Sequence, residues 1–518
     1  MADPAVGARE VLRDDSTGAQ LRPQLHQSLE GRLALAATAR FDETPLSTLI
    51  LMVSKCFPRT SARLRDTVNG RILTAATMLS ALATLVKAAS FGKEILVARY
   101  FGASNALDAF YVAYLLPTFF IGMITNLCIV AFVPTYIEVR ESEGQHAAQR
   151  VLSSAVCLHI LMLLVLSLGL ALSQRWLLPL MGSGFSPTKI ALVRNIFFLL
   201  LSSLLLSGLS ALWRAVLNAH ECFALTGIAP ICIPITIAIL LLVREPAWRI
   251  YALVLGSVLG VTAELAVNGY GLWRIGISLI PRWSGLDNRL QQVLVQSVPA
   301  ATAAILMGST VVVDQSMAAM LRSGDVSILN YASRMISVVL GIGATSFSIA
   351  ALPTFSRLSA NRDWQGVRHV LSSYTRIITI VSLPIMISLI AFSEPLVRVV
   401  YERGAFTQHT AHMVASVQSI LSLELPFYPM CVLCATAVCA LKRNSILLWG
   451  TVICVIVNVT LNYIFMKWFG LPGIALSTVA VYAISFLYLR TMLDRTLGEL
   501  EGIVANETDV VFNPAEVS

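Results

Sequence analysis

Residues 444–466 read NSILLWGTVICVIVNVTLNYIFM, without a single charged side chain. A hydrocarbon layer ~30 Å thick is crossed by a helix of about 20 apolar residues. This run is long enough to do so, and it is longer than any strand or half-buried surface helix needs. Working outward, the same reading fits 470–489, 223–243 and, with one arginine, 190–213. The 518-residue chain is 56% hydrophobic and only 13% charged, and its mean hydropathy is +0.75. Soluble domains carry about 25% charged residues, so this chain could not cover a water-facing surface. The expectation is an all-α integral membrane protein.

Twelve membrane helices are expected, at about 71–99, 107–137, 149–172, 190–217, 223–243, 249–273, 289–320, 326–355, 367–391, 408–438, 444–466 and 470–493. Residues 1–70 and 495–518 read as polar cytoplasmic tails. No cleavable signal peptide is expected, because no short apolar segment near the start ends in small residues. Loops bearing Arg140, Arg150, Arg274, Arg282, Arg289, Arg357, Arg362, Arg368, Lys442 and Arg443 fall on the side of the Arg-rich amino-terminal tail. That bias predicts both termini in the cytoplasm. The net charge of +8 therefore reads as topology and attraction to anionic lipid, not nucleic-acid binding. Of the nine cysteines, Cys431 and Cys434 form a CxxC, but inside a predicted helix and with no second pair for a metal.

An internal repeat organises these helices. Val133-Pro-Thr-Tyr136 precedes Val151-Leu-Ser-Ser154 as Leu352-Pro-Thr-Phe355 precedes Val370-Leu-Ser-Ser373, at a shift of 219 residues. Gly184-Phe185-Ser186 answers Ala405-Phe406-Thr407 within two residues of that shift. Residues 71–275 and 289–494 thus read as two parallel six-helix lobes, an arrangement that places a substrate path between the halves.

Ionisable residues within spans are costly and mark function by default. Lys87, Lys93 and Glu94 fall in the first helix and Arg334 in the eighth. Lys93 and Glu94 also suit an interfacial pair near a helix end. Arg334 cannot neutralise, so it must pair, face water or meet an anion; basic residues from both lobes suit a diphosphate head group. Asp314 stands in the seventh helix, Asn458 and Asn462 share one face of the eleventh, and Thr478 lies in the twelfth. These oxygens suit Na⁺ or proton coupling, and equally suit helix–helix hydrogen bonding. Glu264, Glu424 and His159 are further intramembrane polar residues. There is no GxxxxGK[ST] loop, HExxH or GxSxG motif, so neither ATP hydrolysis nor another catalytic activity is expected.

Val97-Ala-Arg-Tyr-Phe-Gly102, Asp108-Ala-Phe-Tyr-Val-Ala-Tyr-Leu-Leu-Pro117 and Ala131-Phe-Val-Pro134 resemble the amino-terminal signature of the MurJ (MviN) family. These are lipid-linked oligosaccharide flippases of the multidrug/oligosaccharidyl-lipid/polysaccharide (MOP) exporter superfamily. Leu217-Asn-Ala-His220, Tyr331-Ala-Ser-Arg334 and Glu402-Arg-Gly-Ala-Phe-Thr407 resemble later landmarks. The resemblance covers roughly residues 71–494. It implies a cationic cavity with Lys87, Lys93 and Arg334 at the family's basic positions, and a cation site at Asp314, Asn458, Asn462 and Thr478. Three departures stand out. The family's second helix carries an Arg pair and a Glu-Gly-Ala-Phe stretch, whereas Leu115–Ile137 here holds no charge. The family's Lys before Leu-Pro is Leu115. Many members have two further helices, and this chain ends soon after the twelfth.

The expected function is translocation of a polyprenyl-diphosphate-linked saccharide, lipid II-like or an exopolysaccharide unit, across the bacterial inner membrane by alternating access. The partners would be that lipid and the bilayer, with a monomeric transporter. The alternatives are a cation-coupled drug exporter of the same superfamily and a transport-inactive assembly factor.

Overall fold

The computed structural model describes residues 68–243, 248–285 and 287–512. The tail expected over 1–70 lies outside these residues up to position 67. The chain forms an amino-terminal unit ending at Met78 and a larger unit from Leu79 onward. Every described element is helical.

In chain order the long helices are α1 (Val68–Phe101), α2 (Asn105–Ser142), α3 (Gln145–Met181), α4 (Pro187–Ala219), α5 (Phe223–Val243) and α6 (Arg249–Arg274). They continue as α7 (Asn288–Ala318), α8 (Asp325–Ala360), α9 (Trp364–Ala391), α10 (Gln408–Leu421 and Glu424–Ala440), α11 (Asn444–Phe469) and α12 (Leu471–Phe512). Among the described residues nine are long and apolar enough to cross a membrane, and ten with the bent α10. The other two, α1 and α8, are 34 and 36 residues long and carry the ionisable residues of the cavity.

Local chemistry explains the irregularities. Pro134 has no N–H to continue the ladder, and α2 passes through a π turn at Cys128–Phe132 immediately before it. Pro426 cannot donate to the Ser422 carbonyl, and α10 breaks there with a 42° bend. The stretch between α9 and α10, where no element was expected, holds a short helix, Ser393–Tyr401. Ser393, Val397 and Tyr401 fall on one buried face, and Glu394, Arg398 and Glu402 pair along another. Helix α12 runs beyond the expected end at 493. Its polar continuation is held by Arg490–Asp494 and by Arg368, which reaches Asp494 and Glu501.

Helix α4 packs on α2, α3 and α6, and α6 on α5; in the later half α8, α9 and α12 pack on α10, and α12 on α11. Helix α7 lies between these groups, against both α2 and α11. The repeated Ser153-Ser154 pins the segment leading into α7: Arg282 and Ser284 backbone N–H groups donate to Ser153 and Ser154 at 2.5 and 3.1 Å. Leu161, Leu164, Val165, Leu168 and Leu172 of α3 are exposed, which suits a face bathed in lipid.

Candidate functional site

A cavity of about 360 Å³ opens among α1, α2, α5, α6, α7 and α8. Its charged groups are Lys93 and Glu94 from α1 and Arg334 from α8. Glu94 is 5% exposed and its Oε1 takes both cations, Lys93 Nζ at 2.6 Å and Arg334 Nε at 3.5 Å. Arg334 is 55% exposed, and its terminal nitrogens meet no protein acceptor among the described residues. Two cations against one acid leave the cavity positive. Tyr111, Tyr114, Thr118, Ser257, Gln315 and Asn330 add neutral polar groups.

Lys87 stands one heptad before Glu94 on α1, off the cavity lining. Its Nζ occupies the space that a Cβ on Gly341 of α8 would take, and Gly341 is one heptad after Arg334. Lys87 therefore continues the stripe along which α1 and α8 face each other.

Asp314 gathers three helices. Its Oδ1 accepts from Asn458 Nδ2 at 2.9 Å and Asn462 Nδ2 at 2.6 Å, and its Oδ2 from Thr478 Oγ1 at 3.3 Å. The other amide oxygens, Asn458 Oδ1 and Asn462 Oδ1, are buried without a partner among the described residues. Buried acceptors are rarely left so; a carboxylate, a hydroxyl and two unfilled amide oxygens are a donor set that fits a hard cation. Neighbouring Val311 and Gln315 line the cavity, so α7 carries cavity wall and carboxylate cluster together. Among the described residues no group of three His, Cys, Asp or Glu could hold a metal ion. Cys431 and Cys434 are buried free thiols.

One end of the cavity is closed by a collar. Asp108 of α2, fully buried, accepts from Gly324 N (2.6 Å), Ser327 N (2.9 Å) and Ser327 Oγ (2.6 Å) of the α8 start, and from Lys189 Nζ (3.0 Å) of α4. Tyr331 Oη donates to the Gly102 carbonyl at 3.1 Å, and Ala405 N to the Arg99 carbonyl at 2.8 Å. Tyr331, Tyr401 and Phe406 pack ring against ring beside these bonds. Gly102 has φ +53° and its backbone abuts the Ala405 carbonyl, where a Cβ would collide. Gly102→Ala is expected to loosen the collar by at least the ~1–2 kcal/mol of a left-handed non-glycine residue. The check is a lower thermal midpoint with greater protection loss around 99–108 than around α11 in hydrogen exchange.

Sequence reasoning did not single out Asp108 and Lys189, nor the neutral cavity residues Tyr111, Gln315 and Asn330. The signal for Asp108 was present: it meets Ser327, the position 219 residues later, which is the repeat shift itself.

This is the fold of the MOP exporter class. The chain matches a solved structure described as an inward-facing conformation of a multidrug resistance MATE family transporter of that superfamily, with TM-score 0.70 and 13% identity over 82% of this chain and 99% of that one. It matches one described as lipid II flippase MurJ in an inward closed conformation with TM-score 0.70 and 21% identity, over 85% and 94%.

The chain belongs to the lipid II flippase MurJ family, whose model matches residues 97–510. It is 25% identical over 429 residues to a probable lipid II flippase MurJ of Buchnera aphidicola (82% of this chain, 84% of the relative). It is 24% identical over 412 residues to the lipid II flippase MurJ of Burkholderia cenocepacia (77% and 79%), and 26% identical over 445 residues to a probable one of Synechocystis (81% and 81%). It is a multi-pass protein of the bacterial inner membrane.

Proposed function

We propose that this chain flips a lipid II-type polyprenyl-diphosphate-linked saccharide across the inner membrane, with both termini cytoplasmic. The observation that carries the reading is Arg334, a permanent cation half exposed within a membrane-embedded cavity, whose Nε approaches Glu94 and whose two terminal nitrogens meet no protein acceptor among the described residues. A diphosphate supplies the paired oxygens that such a fork binds. Drug exporters of organic cations would be poorly served by two cations facing one acid.

Access alternates between the two sides. In this reading the collar around Asp108 serves as the gate, and opening it requires Asp108, Tyr331 and Ala405 to exchange their partners. The contact of Asp108 with its repeat counterpart Ser327 supports two lobes, 71–275 and 289–494, related by an axis through the collar. Rocking of one half against the other would open one side and close the other.

Asp314, Asn458, Asn462 and Thr478 are the residues that would hold a coupling Na⁺, which when bound supplies positive charge to the Asp314 carboxylate and fills the two amide oxygens. Because α7 carries both this cluster and the cavity wall, occupancy and cavity shape are linked. Na⁺ at a hundredfold excess over its dissociation constant is expected to stabilise the protein by ~2.7 kcal/mol, read as a rise in thermal midpoint that K⁺ does not reproduce. Asp314→Asn should lose that rise; if it keeps it, the cation reading is discarded.

The test of the transport reading is rescue of a strain depleted of its essential lipid II flippase, together with flipping of labelled lipid II in proteoliposomes. Rescue without flipping would favour an assembly role, and flipping of an exopolysaccharide precursor but not lipid II would reassign the glycan.

A further inference from the structure

Beyond the cavity lies a second polar cluster between α4 and α6. Arg214 NH1 pairs with Glu264 Oε1 at 3.1 Å, Ser210 Oγ donates to the same oxygen at 3.3 Å, and Asn268 Nδ2 donates to Ser210 Oγ at 3.0 Å. Ser210 and Arg214 are one turn apart on α4, as Glu264 and Asn268 are on α6, so two short ladders face each other. A closed structural pair would be shielded and fully bonded. This one is neither. Arg214 is 28% exposed against 7% for Glu264, and among the described residues it spends only NH1 on protein and Asn268 Oδ1 is buried with no partner.

Its position relates it to the cavity. Ser257, one heptad before Glu264 on the same face of α6, lines the cavity, and so does Tyr114. Tyr114 lies within electrostatic reach of both Glu264 and Arg334. Lys189 of the collar stands near one end of α4 and Arg214 near the other, so the cluster flanks the cavity on the side away from the closed gate.

We infer that Arg214, oriented by Glu264, is a second station on the substrate path that binds the saccharide portion of the head group, through its carboxylate or carbonyl oxygens, while Arg334 and Lys93 hold the diphosphate. The inference rests on the flippase reading. A guanidinium offers several donors in a fixed fork, which suits the oxygen-rich face of a saccharide or its peptide carboxylates. Glu264 holds the fork in place and, being nearly closed from solvent, does not compete for the ligand.

The test compares two lipids on full-length purified protein, undecaprenyl diphosphate without saccharide and complete lipid II. Arg214→Gln should weaken lipid II binding on the order of tenfold and leave the bare diphosphate lipid unchanged, whereas Arg334→Gln should weaken both. A charge-swapped double variant, Arg214→Glu with Glu264→Arg, keeps an ion pair but moves the cation to α6; it should restore the thermal midpoint without restoring lipid II affinity. That variant carries the test if Arg214→Gln fails to accumulate. The inference is overturned if Arg214→Gln affects both lipids equally or neither, or if the swap restores lipid II binding, since a structural pair would behave so. Wild-type protein that binds neither lipid would sink the flippase reading itself, and this inference with it.

Discussion

Arg334→Ala is expected to lower lipid II flipping on the order of a hundredfold while leaving insertion and expression intact. The protein side of its bonding is slight: one 3.5 Å approach to Glu94 from Nε, with the rest of the fork turned to open cavity. Removing it leaves Glu94 paired to Lys93 at 2.6 Å, so no acid is stranded and the fold keeps its counter-charge. What is lost is a charge-assisted grip on the diphosphate, worth ~3 kcal/mol for a hydrogen-bonded charge, which corresponds to the stated rate. Arg334→Lys separates charge from geometry. If field alone attracts the anion, lysine recovers most of the rate; if the bidentate fork matters, it recovers little. Initial rates in proteoliposomes and the thermal midpoint of each variant decide the matter. Normal flipping by Arg334→Ala would remove the anionic-head-group mechanism.

Much of the architecture was legible because bilayer physics writes it plainly. A charge-free run such as 444–466 has few other homes, and an ionisable side chain within a span, such as Arg334 or Asp314, is conspicuous by its cost. Less was legible where the cost vanishes. Ser393–Tyr401 is too short to span, and its buried 393–397–401 face shows only once α10 covers it. Apolarity stops near 493, where the sequence alone ends α12, while Arg368 and Asp494, 126 residues apart, carry the helix onward. Tyr111, Gln315 and Asn330 sit unremarkably among apolar neighbours, and only the fold shows that they share a wall. Glu264 stands out as an acid within a span, but its partner Arg214 comes from a separate helix and only the fold joins them.

Asp108→Asn is expected to open the collar, shifting the balance between closed and open gate by on the order of a hundredfold. In sequence Asp108 looks like an ordinary acid in the first turn of a helix, favourable to the helix dipole. In the structure it is the buried acceptor for four donors from α4 and α8, one of them the Lys189 ammonium at 3.0 Å. Lys189 is itself almost fully buried and lies over the Phe185 ring at 3.6 Å. The amide of asparagine can still accept from Ser327 but carries no charge, so Lys189 is left buried and unpaired; breaking a buried pair in this way costs ~3–5 kcal/mol. The molecule escapes that cost by parting α2 and α4 from α8, which lets water reach the ammonium. Ala98, fully buried beside the collar, supplies a reporter: a cysteine placed there should be slow to react with a membrane-impermeant maleimide in the parent and fast in the Asp108→Asn background. Lys189→Met added to Asp108→Asn removes the stranded cation and should slow the reaction again. Unchanged labelling in Asp108→Asn, or fast labelling that Lys189→Met leaves untouched, would show that this ion pair does not hold the gate.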